Sequence, residues 1–101
     1  LIFRIFMNIL HNNEILAITV KDATDFFWFN PDIERYFYGY LGTVKIAKFF
    51  LVKDNSWGYE LEENILIDIK HIDNNLHYFS GFSSSITLIN FIVKLLNLQK
   101  A

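Results

Sequence analysis

The sequence predicts a small α+β domain: an antiparallel sheet of about five strands, a short middle helix near residues 31–41, and a C-terminal helix near residues 85–98 packed on one face. Three observations support this prediction. Segments rich in Ile, Leu, Phe and Val recur between turn-forming residues, as in strands. Two other segments repeat apolar residues at helical spacing. No repeat or linker interrupts the 101 residues, so we expect one domain spanning 1–101.

Composition argues against several classes of partner. The formal charge is -2, and the nine Lys and Arg residues are spread along the chain without the basic stripe that binding to phosphates requires. We therefore expect no nucleic-acid ligand. The absence of cysteine excludes disulfides and thiolate metal sites and leaves the redox compartment open. A cytoplasmic location is favoured, and an organellar one stays open.

The first predicted element is a hairpin formed by residues 2–10 and 15–21. The intervening HNNE, residues 11–14, supplies Asn residues that tolerate positive φ. The second arm alternates weakly, because apolar residues fall on both of its faces. One face carries Leu16, Ile18 and Val20, and the other carries Ile15, Ala17 and Thr19.

The middle helix is predicted from capping residues and spacing. Asn30 is a good N-cap, Pro31 suits the first helical position, and Asp32 is favourable at the positive end of the helix dipole. Gly42 then ends the helix. The apolar stripe that follows the cap consists of Ile33, Tyr36, Phe37, Tyr40 and Leu41.

Strands are predicted next at residues 43–53, with a turn at 54–58 leading to a return strand at 59–61. Residues 64–72 alternate, with Ile65, Ile67 and Ile69 on one face. A turn at 73–75 then joins this strand to residues 76–82 in a further hairpin. In that hairpin His71 faces His77.

The C-terminal helix is predicted to carry an unusually wide apolar arc. A serine of residues 83–85 caps it, and its polar residues form a narrow stripe. Large apolar side chains are each stabilised by roughly 1.5–3 kcal/mol on burial, so the arc should be covered. Another helix or a long loop of this chain, a second chain, or a membrane surface could cover it.

Ten residues are predicted to bind a partner protein. Phe26 to Phe29 cannot all point inward along a strand, and Tyr38 falls off the helical stripe. An acidic segment beside exposed rings would attract a basic partner. The predicted set is Phe26, Phe27, Trp28, Phe29, Tyr38, Glu62, Glu63, Phe91, Leu95 and Leu98.

Catalytic groupings are weak. His71 and His77 have only Asp73 as a nearby third ligand, whereas zinc sites use at least three protein ligands. The GFSSS segment, residues 81–85, is not the G-x-S-x-G nucleophile elbow, and the four glycines are isolated from one another. We therefore expect no catalytic residues, no cofactor and no metal.

The leading functional hypothesis is a non-enzymatic protein-interaction module, such as a small inhibitor, an immunity-type protein or an accessory subunit. Its partner would be another protein chain, in a hetero-complex or a homodimer. The first alternative is a small-ligand-binding protein or enzyme with an aromatic-lined pocket and a titrating His71 or His77. The second is a membrane-peripheral subunit, which is not favoured.

Overall fold

The structure is a computed structural model that describes residues 4–23, 31–68 and 78–101. The described residues form one domain around one core. The predicted α+β class is wrong, because seven antiparallel strands form a curled half-barrel and the helices are small. The elements in chain order are β1 Arg4–His11, β2 Glu14–Asp22, β3 Ile33–Leu41, β4 Val44–Val52, β5 Trp57–Leu61, α1 Glu63–Asp68, β6 Tyr78–Phe82, α2 Ser85–Leu95 and β7 Gln99–Lys100.

The sheet is an up-and-down meander with one added strand. Its order is β6-β5-β4-β3-β2-β1-β7, so each of the strands β1 to β5 pairs with the next strand of the chain. The helix α2 then carries the chain back to the other edge. There Gln99 pairs with Leu10 and Lys100 with Ile9. The first and last strands of the described chain are therefore neighbours at one edge of the half-barrel.

The predicted first hairpin is confirmed within residues 4–22, but its turn is shorter than predicted because His11 pairs with Glu14. Asn12 and Asn13 have φ values of 50° and 65°, which is the left-handed pair that a tight two-residue turn requires. The pairing settles which face of β2 is inside. Ile18 and Val20 are buried in the core, whereas Ile15 is exposed on the opposite face.

The predicted middle helix is wrong, because residues 33–41 form the strand β3 between β2 and β4. Both faces of this central strand carry apolar or aromatic groups: Phe37 packs against the concave core, and Tyr38 lies on the convex face. Such a strand shows no period-two alternation, and its apolar positions also fit a helical stripe. Pro31 and Asp32 form a turn before the strand instead of a helix start.

The strand predicted at residues 64–72 is also wrong in its described part, where Glu63–Asp68 is the helix α1. Glu63 is favourable in the first turn of a helix. The alternating isoleucines that follow it are typical of a strand, so the sequence pattern favoured the wrong element. Residues 64–68 therefore do not pair with residues 78–82 as predicted, and the rest of that hairpin lies outside the described residues. The strand β6 pairs with β5 instead, with Ser80 opposite Gly58.

The C-terminal helix begins where the sequence predicts and ends earlier. The Ser84 hydroxyl accepts a hydrogen bond from the Thr87 N–H at 3.2 Å, as an N-cap does. The helix stops at Leu95 because Asn97 is left-handed, with φ 55°. The Leu98 N–H donates to the Val93 carbonyl at 2.9 Å, which completes a Schellman ending and directs the chain into β7.

The curled sheet covers the wide apolar arc of α2. Leu88, Ile89, Ile92 and Val93 are buried in one cluster with side chains of β1, β2, β4 and β5. The predicted covering by another helix or a long loop is therefore unnecessary for these residues. Of the large apolar residues on α2, Ile86 is exposed.

Aromatic rings join the end of the sheet to α2. The Tyr59 ring centroid lies 6.1 Å from that of Phe82 and 5.9 Å from that of Phe91. Phe82 and Phe91 approach each other to 5.1 Å. Burial raises the pKa of Tyr59 to about 12, so its hydroxyl remains protonated at neutral pH.

Candidate functional site

A partly open cavity of about 320 Å³ lies between the concave face of the sheet and the start of α2. This volume is at the lower end of the roughly 300–1,000 Å³ typical of ligand pockets. A ligand with one or two rings would therefore suit it. The described residues that line the cavity are Phe6, Val20, Asp22, Arg35, Phe37, Phe49, Leu51, Trp57, Ser85, Leu88 and Ile89.

The register of the sheet builds the walls of the cavity. Phe37 of β3 stands opposite Phe49 of β4, and Leu51 stands opposite both Arg35 and Trp57. These residues alternate along their strands with residues of the convex face, so they share the concave surface. The ring centroids of Phe37 and Trp57 are 5.4 Å apart at an interplanar angle of 33°. The wall is therefore a continuous aromatic and aliphatic surface.

A cation and an anion meet at the cavity. The Arg35 Nη2 donates a hydrogen bond to the Asp22 Oδ1 at 2.8 Å. The two side chains are 57% and 34% exposed, so both reach solvent from the cavity lining. The guanidinium carbon of Arg35 also lies 5.2 Å from the centroid of the Phe37 ring, within cation–π range. The aromatic wall therefore holds the guanidinium at the boundary between the cavity and water.

The start of α2 contributes the third polar group of the lining. Ser85 is the first residue of the helix, and Ser84 provides the cap. The Ser84 hydroxyl also lies 2.8 Å from the Thr87 hydroxyl. The first N–H groups of a helix have no acceptor within it and carry partial positive charge. The cavity thus combines apolar walls with an ion pair and a hydroxyl.

The predicted partner residues do not form one surface in the described part of the chain. Phe26, Phe27, Trp28 and Phe29 lie outside the described residues. Tyr38 is half-buried on the convex face, and the Lys45 Nζ lies 3.8 Å from the centroid of its ring. Tyr38 is not among the described residues of the cavity lining.

The two predicted acidic residues lie beside β5, away from the aromatic wall. The Glu62 N–H donates to the Ile46 carbonyl at 2.9 Å, so the backbone of this residue continues the pairing between β5 and β4. Its Oε1 is buried and has no hydrogen-bond partner among the described residues. Glu63 is exposed at the start of α1. With Lys48, both residues line a second, polar cavity.

The three predicted residues at the C-terminal end pack against this chain. Phe91, Leu95 and Leu98 are half-buried and contact the core cluster, and Phe91 belongs to the aromatic group with Tyr59 and Phe82. Their contribution to a partner surface stays a prediction. The structure gives them a structural role inside the half-barrel.

The predicted histidine pair cannot be placed. His71 and His77 both lie outside the described residues, and the hairpin that was to align them is not formed by residues 64–68. Within residues 4–23, 31–68 and 78–101, no group of three His, Asp or Glu side chains is arranged to hold a metal ion.

The sequence did not lead us to predict the cavity or any of its described lining residues as a site. One signal was present: if residues 33–41 are read as a strand, Arg35, Phe37 and Leu41 share a face, which places a charge beside an aromatic ring on the inner side. No local sequence pattern indicates that Phe6 and Trp57 line the cavity, because only the strand order brings them to it.

The described segments contain no helix with the length and apolar character needed to cross a bilayer. No protein-family model, no curated protein and no solved structure matches the chain.

Proposed function

We propose that this chain is a non-enzymatic binding protein that takes a small, largely apolar ligand into the cavity between the concave sheet face and α2. The observation that carries the proposal is the cavity itself. Aromatic and aliphatic side chains form its walls, and a few polar groups converge at one place, which is the usual composition of a ligand pocket. This is the non-enzymatic form of the pocket-based alternative from the sequence, argued here from the described lining residues.

Binding should be detectable through Trp57, the tryptophan of the aromatic wall. A neutral two-ring probe such as 1-naphthylacetamide is expected to shift the indole N–H resonance of Trp57 and to give a saturable heat in calorimetry. The chain has one other tryptophan, so the Trp28→Phe variant assigns the resonance. Ser85→Phe, which places a ring at the cavity, should lower the affinity by roughly tenfold or more, equivalent to about 1.4 kcal/mol.

The matched control is Ser83→Phe, which makes the same change at an exposed position outside the described lining. It should leave the affinity of the probe unchanged. Equal weakening by both variants would contradict binding in this cavity. A probe that perturbs residues of the convex face but leaves the Trp57 resonance unmoved would contradict it as well.

A second candidate function is the protein-interaction module predicted from the sequence. The observation that favours it is an apolar group at the opposite end of the sheet from the cavity. Leu10 and Ile15 face each other across β1 and β2, and they are 38% and 66% exposed. Val44, at the start of β4, is 50% exposed near the neighbouring hairpin. Exposed apolar groups of this kind often mark contact surfaces.

We expect this second function to appear as self-association of the purified chain. Size-exclusion chromatography with multi-angle light scattering should give a mass above that of the 12.0 kDa monomer as the protein concentration rises. Ile15→Lys should return the mass to the monomer, because a charge in an apolar contact is costly. Glu14→Gln, at the adjacent exposed position, raises the net charge by the same single unit and controls for that change. A constant monomer mass in all three proteins would count against self-association.

A further inference from the structure

The polar groups at the cavity indicate the chemical class of its ligand, an inference that rests on the proposed binding function. Among the described lining residues, the charged ones are Asp22 and Arg35. An ion pair as exposed as this one contributes little to stability. Inward positions of a sheet are normally apolar, so folding does not explain a charged pair at this place. A polar group on the ligand would explain it.

The geometry favours a negative group on that ligand. A guanidinium carries five N–H donors, and the hydrogen bond from Arg35 to Asp22 runs from Nη2 to one carboxylate oxygen. The planar guanidinium therefore keeps N–H donors for a second acceptor. A carboxylate can accept two parallel hydrogen bonds from such a group. Contact with the Phe37 ring restrains the guanidinium. The first turn of α2, at Ser85, adds partial positive charge on the other side of the cavity.

We propose that the cavity binds a small carboxylate whose apolar body lies against Phe37, Phe49 and Trp57 and whose carboxylate is bound by the Arg35 guanidinium. Asp22 is a positioning residue: it holds one edge of the guanidinium from the neighbouring strand. No covalent step is involved. The ligand class is an aromatic or branched aliphatic monocarboxylic acid of one or two rings or an equivalent size.

Three probes that share one body and differ in their head groups test this proposal by calorimetry at pH 7. They are 1-naphthylacetate, 1-naphthylacetamide and 1-naphthylmethylamine, which are anionic, neutral and cationic. We expect the carboxylate to bind roughly tenfold or more tightly than the amide, because a hydrogen bond to a charged group is worth more than a neutral one. The amine should bind most weakly.

The Arg35→Gln variant should reduce the affinity for the carboxylate to that for the amide and leave the amide unchanged. Arg35→Lys keeps the charge but loses the fork, so it should retain part of the preference. Lys94→Gln is the matched control, since it removes an exposed positive charge near the far end of α2. Asp22→Asn keeps an acceptor oxygen that can hold the guanidinium and removes the neighbouring negative charge, so the affinity for naphthylacetate should be equal or higher. Thermal unfolding of each variant confirms that it is folded.

The results distinguish the proposal of a carboxylate ligand from the proposal that the cavity binds a small apolar ligand. If all three probes bind in the cavity with equal affinity, the carboxylate proposal is overturned and the binding function stands. If the amine binds most tightly and Asp22→Asn removes that preference, Asp22 is the receptor and the carboxylate proposal is again overturned. If none of the probes binds, both proposals fail.

Discussion

Replacing Phe49 with alanine is expected to lower the free energy of unfolding by about 3–5 kcal/mol, the range for removing a fully buried aromatic ring. Phe49 is 1% exposed and belongs to the core, and its ring also forms part of the cavity wall. The loss should be measured by denaturant unfolding. The same variant should enlarge the cavity and allow a bulkier probe to bind.

A second substitution tests why this ring fits. A Cβ atom at Gly39 would overlap the Phe49 ring, approaching its Cζ to 2.7 Å, so the ring lies directly over the glycine. Gly39→Ala alone should destabilise the protein by about 1–3 kcal/mol through overpacking. In the Phe49→Ala background the clash disappears. There the alanine should be neutral or stabilising, since glycine in a strand is entropically unfavourable.

The control for this cycle is Gly58→Ala. A Cβ atom at Gly58 would meet the Phe50 ring, whose side chain lies on the opposite face of β4, so Phe49→Ala should not rescue it. Additive losses for the Gly39 and Phe49 variants would contradict the predicted contact. A coupling of about 1–3 kcal/mol would support it.

Local signals in the sequence predicted the elements that depend on local chemistry. Asn12 and Asn13 form the first turn because their side chains tolerate the left-handed region, and Ser84 begins α2 because its hydroxyl accepts the Thr87 N–H. The strand β4 was likewise recognisable from its β-branched and aromatic residues. In each case a few neighbouring residues decide the outcome.

The strand β3 could not be predicted in the same way, because its pattern depends on what lies on both of its faces. Phe37 and Leu41 face the core cluster, and Tyr36, Tyr38 and Tyr40 alternate with them on the convex side. When a central strand carries apolar groups on both faces, the spacing of some of them in the sequence also fits one face of a helix. The capping residues before it, Pro31 and Asp32, serve equally well in a turn.

The cavity could not be predicted from short stretches of sequence either, because it depends on the order of the strands. Its ion pair requires β2 and β3 to be neighbours, and its aromatic wall requires β5 to lie two strands from β3. If residues 33–41 formed a helix, nothing in the sequence would place Arg35 beside Asp22. The partner hypothesis depended in turn on how much of the C-terminal helix this chain could cover. A curled sheet encloses more of a helix than a flat sheet does.

That enclosure leads to a prediction with a control on the same helix. Ile92 is fully buried in the core cluster, and Ile86, six residues earlier on α2, is 46% exposed. Ile92→Ala should lower the free energy of unfolding by about 2–5 kcal/mol, the range for large-to-small core substitutions. Ile86→Ala should cost less than about 1 kcal/mol, because it removes little buried area and alanine is a better helix former.

Both variants remove the same atoms from the same helix, so the difference between them measures the cover that the half-barrel provides. Denaturant unfolding of the purified chain at low concentration, where self-association is negligible, isolates that cover from any contribution of a second chain. Similar small losses for both variants would mean that the sheet does not enclose α2. If the loss for Ile92→Ala instead appears only as concentration rises, another chain supplies the cover, and the apolar arc again becomes evidence for a partner.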